Sequence, residues 1–173
     1  MKNLEIFTIP ETKKHKNISE FCFEKLVEFC KEKFGYDVVK ENIRKNEHGK
    51  PYFADNEDLH YNISHTNGLG VIVFDDKPCG VDVERIVEKK YDLSERFYSS
   101  EEKEWVNDSE TELERTEKLL MVWTGKEAYT KMLGIGLTVD IRTINIFDKE
   151  IWDKLSYIRE NGCIICVCRE SED

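Results

Sequence analysis

No apolar run in this chain approaches the roughly 20 residues needed to cross a bilayer, so no membrane partner is expected. Met1-Lys2-Asn3-Leu4 leads into no apolar signal core, and a cytoplasmic protein is expected. Positive charge is also short. The 26 Lys and Arg residues face 36 Asp and Glu, for a net charge of −10. That balance argues against nucleic acid as a partner, because phosphate-backbone binders displace counterions with clustered Lys and Arg. An anionic ligand must be held by a local site. Paired metal-binding cysteines are missing as well. The six cysteines form one close cluster, Cys163, Cys166 and Cys168, with no second Cys/His pair at finger spacing. The run 162–168 reads better as a buried strand in which reduced cysteine serves as a small hydrophobe.

What is present suits a globular fold. Of the 173 residues, 39% are hydrophobic and 36% charged, and nine Phe, seven Tyr and three Trp are too many for a disordered polyelectrolyte. The length fits one compact domain or two small lobes sharing a core.

Residues 4–9 alternate apolar and polar up to Pro10, predicting a strand. Phe23, Leu26, Val27, Cys30 and Phe34 recur at helical spacing, with Ser19 as N-cap and Gly35 as stop. A turn-rich loop over 45–51 precedes strands at 59–64, 69–74 and 79–86. Helical segments follow at 93–98 and 101–106, the second capped by Ser99 or Ser100 in an S-x-x-E pattern. A longer helix covers Thr111 to Leu133 and stops at Gly134-Ile135-Gly136. Strands are predicted at 141–147 and 162–169. The expectation is an α+β fold of two similar lobes, residues 1–88 and 89–173, each a long helix packed on a small antiparallel sheet. No low-complexity linker separates them.

Two acidic segments stand out: Gly80-Val81-Asp82-Val83-Glu84 and Trp123-Thr124-Gly125-Lys126-Glu127-Ala128-Tyr129-Thr130-Lys131. On a strand, Asp82 and Glu84 project from one face while Val81 and Val83 pack behind. On a helix, Glu127 and Lys131 share a stripe, with Lys126 about 100° around the axis. Each feature alone suits a charged solvent face. Together, Asp82, Glu84 and Glu127 are the hard oxygen ligands that magnesium takes, and Lys126 and Lys131 are placed to neutralise phosphate beside it.

With those residues in view, the chain resembles the 4′-phosphopantetheinyl transferases of the surfactin-synthetase-activating (Sfp) type. These carry Gly-Ile/Val-Asp-x-Glu, some forty residues, and then Trp/Phe-Ser/Cys/Thr-x-Lys-Glu-Ala/Ser-x-x-Lys. Gly49-Lys50-Pro51 and Asn62-Ile63-Ser64-His65 resemble two further family segments that help bind coenzyme A. The resemblance spans residues 49 to about 137. It implies transfer of phosphopantetheine from coenzyme A to a serine of an acyl or peptidyl carrier protein, with release of adenosine 3′,5′-bisphosphate. It further implies Asp82, Glu84 and Glu127 on Mg2+, Lys126 and Lys131 on phosphate, and Lys50, Ser64 and His65 on the nucleotide. Glu127 becomes the base for the carrier serine, with Glu84 as the alternative. A monomer is implied, its lobes face to face around a coenzyme A cleft.

Several features depart from the family pattern. The basic N-terminal helix is missing or reduced to Lys13-Lys14-His15-Lys16, Gly125 stands where a larger residue is usual, and Ile135 stands where many relatives place lysine. Because carrier proteins are acidic, an apolar docking patch is expected near the second lobe's helices, including Tyr98, Trp105 or Met132. The competing readings are an idle module that binds coenzyme A or a carrier, and a magnesium-dependent hydrolase of a nucleotide pyrophosphate.

Overall fold

The alternation of residues 4–9 produces β1 (Asn3–Thr8), and the helical spacing after it produces α1 (His15–Phe34). The computed structural model describes residues 3–10, 15–87, 94–136 and 138–170. Ser19 lies inside α1 rather than capping it. The helix stops where predicted: Gly35 has φ +63°, and Tyr36 N–H donates back to the Cys30 carbonyl at 3.1 Å. The predicted loop over 45–51 is the tip of a hairpin formed by β2 (Ile43–Lys45) and β3 (Pro51–Phe53). There follow β4 (His60–Thr66), β5 (Leu69–Asp75), β6 (Cys79–Arg85), α2 (Ser94–Phe97), α3 (Ser100–Asn107), α4 (Glu112–Leu133), α5 (Lys149–Trp152), β7 (Leu155–Glu160) and β8 (Cys163–Arg169).

The fold is α+β. One antiparallel sheet has the order β1-β5-β4 and another the order β6-β8-β7. In each, the last strand in sequence is central and a long helix follows the first strand. Every residue of β5 is buried, because its two faces serve different layers. Ile72 and Phe74 pack with Cys22, Leu26 and Cys30 of α1. Val71 and Val73 meet Val81 and Val83 of β6 and Ile165 and Val167 of β8. On the far side of the second sheet, Cys166 and Cys168 contact Ala128 and Met132 of α4. The layers therefore run helix, sheet, sheet, helix. Arg169 reaches Asp75 at 2.9 Å and ties the two sheets at one end.

Several expectations are corrected. Residues 141–147 form no strand: Ile141–Thr143 is a single 3-10 turn, because the Ile141 and Ile144 carbonyls are drawn to the Lys126 ammonium. The strand β7 was not predicted, although Asn161-Gly162 is a strong hairpin turn, with φ of 48° and 70° there. Tyr98 and Met132 are core residues, 4% and 1% exposed, and Trp105 is half-buried, so they form no docking patch. The boundary at 88/89, Leu93, Lys13, Lys14 and Leu137 lie outside the described residues.

Candidate functional site

The seam between β6 and α4 holds the acidic residues, and Gly80 sets how close its walls come. A β-carbon at Gly80 would lie 2.1 Å from the Ala128 carbonyl oxygen and 2.5 Å from the Met132 nitrogen, so only glycine lets helix and strand touch there. From that contact the strand's period of two turns Asp82 and Glu84 toward α4, while Val81 and Val83 enter the inter-sheet core. Thr111 caps the start of α4 by accepting from Glu114 N–H, and Gly134 ends it in the left-handed region at φ 68°. Between those stops, Glu127 and Lys131 fall four residues apart on the stripe facing Asp82.

Asp82 is the centre. Its Oδ1 accepts from Lys131 Nζ at 2.6 Å and from Ser64 Oγ at 2.8 Å. Lys131 also reaches the Val81 carbonyl at 3.3 Å and stands 4.0 Å from the Glu127 carboxylate. Asp82 is only 6% exposed, and its Oδ2 is buried with no hydrogen-bond donor. A buried carboxylate oxygen without a partner is costly. It is the atom a cation would satisfy. β4 reaches this cluster because Asn62 and Ser64 share a face, Asn62 Oδ1 accepting from Val81 N–H at 2.9 Å.

Burial raises the Glu127 carboxyl above the ordinary glutamate value; Lys131 pulls it back down, while Asp82 and Glu84 push it up. The three carboxylates thus feel one another's charge. Among the described residues, no group of three or more His, Cys, Asp or Glu side chains is disposed to hold a metal ion by itself. An ion there would complete its coordination with waters and substrate phosphates, as magnesium does. The donor set of hard carboxylate oxygens, with the orphaned Asp82 Oδ2 among them, fits such an ion.

Lys126 does not join the site. It is fully buried, its ammonium 2.7 Å from the equally buried Glu102 and donating to the Ile141 and Ile144 carbonyls. Burial lowers its pKa, and Glu102 opposes that shift. The expected phosphate contact is replaced by this internal pair, since the 100° offset from Glu127 points Lys126 into the α3 side of the core. Glu102 is the residue that sequence reasoning undervalued. The S-x-x-E pattern identifies its capping-box role with Ser99, but the same carboxylate also accepts from Ile146 N–H at 2.9 Å.

Lys50 sits at one end of the seam, donating to the Cys79 and Met132 carbonyls at 3.0 and 2.8 Å. Asn46 beside it donates to the Gly134 carbonyl at 2.7 Å. The β2–β3 turn thereby clasps the C-terminus of α4, where carbonyls lack helical donors. His65 is exposed on the opposite face of β4 from Ser64. Gly125 has a local reason: a β-carbon there would meet Tyr157 Oη at 2.4 Å, and that hydroxyl donates to the Met121 carbonyl at 3.0 Å. Ile135 is half-buried, its N–H closing on Thr130.

Residues 78–168 match the family model of the 4′-phosphopantetheinyl transferase superfamily. The chain is 35% identical over 109 residues to 4′-phosphopantetheinyl transferase gsp of Aneurinibacillus migulanus, covering 62% of this chain and 45% of that protein. It is 30% identical over 113 residues to 4′-phosphopantetheinyl transferase Sfp of Bacillus subtilis (strain 168), covering 64% and 50%. It is also 31% identical over 114 residues to the L-aminoadipate-semialdehyde dehydrogenase-phosphopantetheinyl transferase of Candida glabrata, covering 61% and 43%. The matches span about half the length of these curated relatives.

Proposed function

We propose, from the premise that this chain belongs to the 4′-phosphopantetheinyl transferase superfamily, that it transfers 4′-phosphopantetheine from coenzyme A to a serine of an apo acyl or peptidyl carrier protein. The second product is adenosine 3′,5′-bisphosphate. The observation that carries this reading is the Asp82 cluster, a buried carboxylate with one oxygen held by Lys131 and Ser64 and the other without a donor. Magnesium held by Asp82, Glu84 and Glu127 would neutralise charge growing on the departing bisphosphate.

The chain's own residues perform the remaining work. Glu127 accepts the proton of the carrier serine as its oxygen attacks the phosphorus bearing the pantetheine. Burial and like charge raise its proton affinity toward what a base at neutral pH requires. Lys131, beside Asp82 and Glu127, moves its charge to the phosphate oxygens. Of Lys50, Ser64 and His65, Ser64 beside Asp82 faces the nucleotide end, whereas the Lys50 ammonium is held by the Cys79 and Met132 carbonyls and His65 lies on the other face of β4. In this reading the cleft lies between two pseudo-twofold lobes, residues 1–88 and 89–173. Lys126 acts from behind, fixing the turn of α4 that carries Glu127. We place the protein in the cytoplasm as a monomer.

The test is chromatographic release of adenosine 3′,5′-bisphosphate from coenzyme A and magnesium, with and without an apo carrier. Release only with carrier is expected. Release at the same rate without carrier would contradict the transferase and identify the hydrolase.

A further inference from the structure

We propose that Arg85 is a positioning residue for the transfer reaction: its guanidinium joins the tips of two hairpins, one from each sheet, and so sets the gap between β4 and β6 in which Ser64 meets Asp82. The inference rests on the transferase reading and adds to it a residue whose donors are spent on protein carbonyls. Nε and Nη2 of Arg85 donate to the Asn67 carbonyl at 3.1 and 2.6 Å, and Nη1 donates to the Asn161 carbonyl at 3.2 Å.

The two turns are built alike. Asn67-Gly68 joins β4 to β5 and Asn161-Gly162 joins β7 to β8, each a two-residue turn at the tip of its hairpin. In each, the glycine carbonyl is taken by the chain leaving the first strand of its own sheet. Ile9 N–H donates to Gly68 at 3.0 Å, and Ile86 N–H donates to Gly162 at 2.9 Å. The asparagine carbonyls stay outside both ladders, where a rigid fork of donors can take one with each side. The strand's period places Arg85 to do so. It follows Val81 and Val83 on the inter-sheet face of β6, at the rim of that core and level with Cys163.

What Arg85 spans is a junction without a ladder. Among the described residues β4 and β6 belong to different sheets, and side chains cross between them instead. Asn62 accepts from Val81 N–H at 2.9 Å, Ser64 donates to Asp82 at 2.8 Å, and Arg85 donates to Asn67. These crossings follow one another in the same order along both strands. The middle one belongs to the reacting cluster, and it is given up when Ser64 and Lys131 turn to substrate. The Val81 end is then held by Asn62, by the Gly80 contact with α4 and by Lys50 on the Cys79 carbonyl. At the Glu84 end Arg85, the next residue in the strand, makes the crossing. Asn67 and Asn161 are both exposed, so water can replace a lost donor there, and the bonds set geometry more than they add stability.

Steady-state transfer from coenzyme A to an apo carrier, with magnesium, tests this on the wild type, Arg85→Met, Arg85→Lys and the double variant Asp75→Leu/Arg169→Met. The double variant removes the tie at the other end of β6 and serves as the control. Melting curves accompany each. Arg85→Met should lower kcat about tenfold or more, keep KM for coenzyme A within about twofold and melt within about 3 °C of wild type. Arg85→Lys, whose single ammonium cannot fork between the turns, should fall between the two. The control should keep kcat within about twofold of wild type, whatever its melting temperature. Unchanged kcat in Arg85→Met overturns the inference and leaves the transferase reading intact. A rise in KM alone overturns it as well, since Arg85 would then be binding coenzyme A. So does an equal loss of kcat in the control, which would make the effect one of general loosening. A wild type that transfers nothing to the carrier defeats the transferase reading and the inference together.

Discussion

At the scale of single residues, the site stores unfavourable electrostatics for use in chemistry. Glu127 has its carboxyl raised by burial first, with Asp82 and Glu84 adding to it and Lys131 opposing. A folded-state pKa above the unfolded one means that the protonated form favours the fold. This contribution is full below the unfolded pKa and is lost as pH rises through the folded value. Glu127→Gln should therefore raise the melting temperature at pH 7–8 by about 2–4 °C, with the gain vanishing as pH falls below the ordinary glutamate range, while transfer is abolished. Thermal melts across pH check the sign. Lys126 gives the opposite lesson. Lys126→Met leaves Glu102 buried without its cation and should cost about 3–5 kcal/mol, whereas the double variant Lys126→Met/Glu102→Leu should recover most of that loss. Coenzyme A affinity in the double variant should stay near wild type, measured by titration; a large loss would return Lys126 to the phosphate. Asp82, Glu84, Glu127 and Lys131 are legible in the linear chain because strand and helix periods alone decide their facing. The inward turn of Lys126 is not, since it depends on Glu102 arriving from α3 and on two carbonyls of the 141–144 segment.

At the scale of elements, the seam depends on backbone approach more than on side-chain attraction. Gly80→Ala inserts a methyl where the Ala128 carbonyl already stands 2.1 Å away, so α4 must lift from β6. The expected result is a loss of about 1–3 kcal/mol in chemical denaturation, together with a drop in transfer rate, because Glu127 and Lys131 ride on the displaced helix. Wild-type stability in this variant would mean that the strand shifts instead. The long helices, β1 and the strands from β4 to β6 follow from periodicity and end at Pro10, Gly35 and Gly134. The false strand over 141–147 is rich in β-branched residues, Ile141, Thr143, Ile144 and Ile146, but its Ile141 and Ile144 carbonyls are taken by Lys126. β7 was overlooked because Leu155-Ser156-Tyr157-Ile158 is short, and only the Asn161-Gly162 turn marks it as half of a hairpin.

At the scale of the whole molecule, two sheets packed face to face bury the apolar middle, and both long helices lie outside them. That arrangement accounts for the cysteines. All six are free and buried, and burial raises the thiols of Cys30, Cys79 and Cys168 to about 12. A thiol reagent at pH 8 should label none of them rapidly in the native protein and all six after denaturation; fast native labelling would contradict the packing. The α+β class was readable from the order of elements. The layering was not, because face-to-face packing of the sheets depends on contacts between Val71, Val73, Val81 and Val83 that no local pattern specifies. The central claim is that the buried Asp82 cluster performs phosphopantetheine transfer. It is tested most directly by the intact mass of an apo carrier protein incubated with this chain, coenzyme A and magnesium, beside Asp82→Ala, Glu127→Ala and metal-chelated controls. The account predicts a gain of one phosphopantetheine that disappears in all three controls. A carrier modified equally by the Asp82→Ala variant would contradict it.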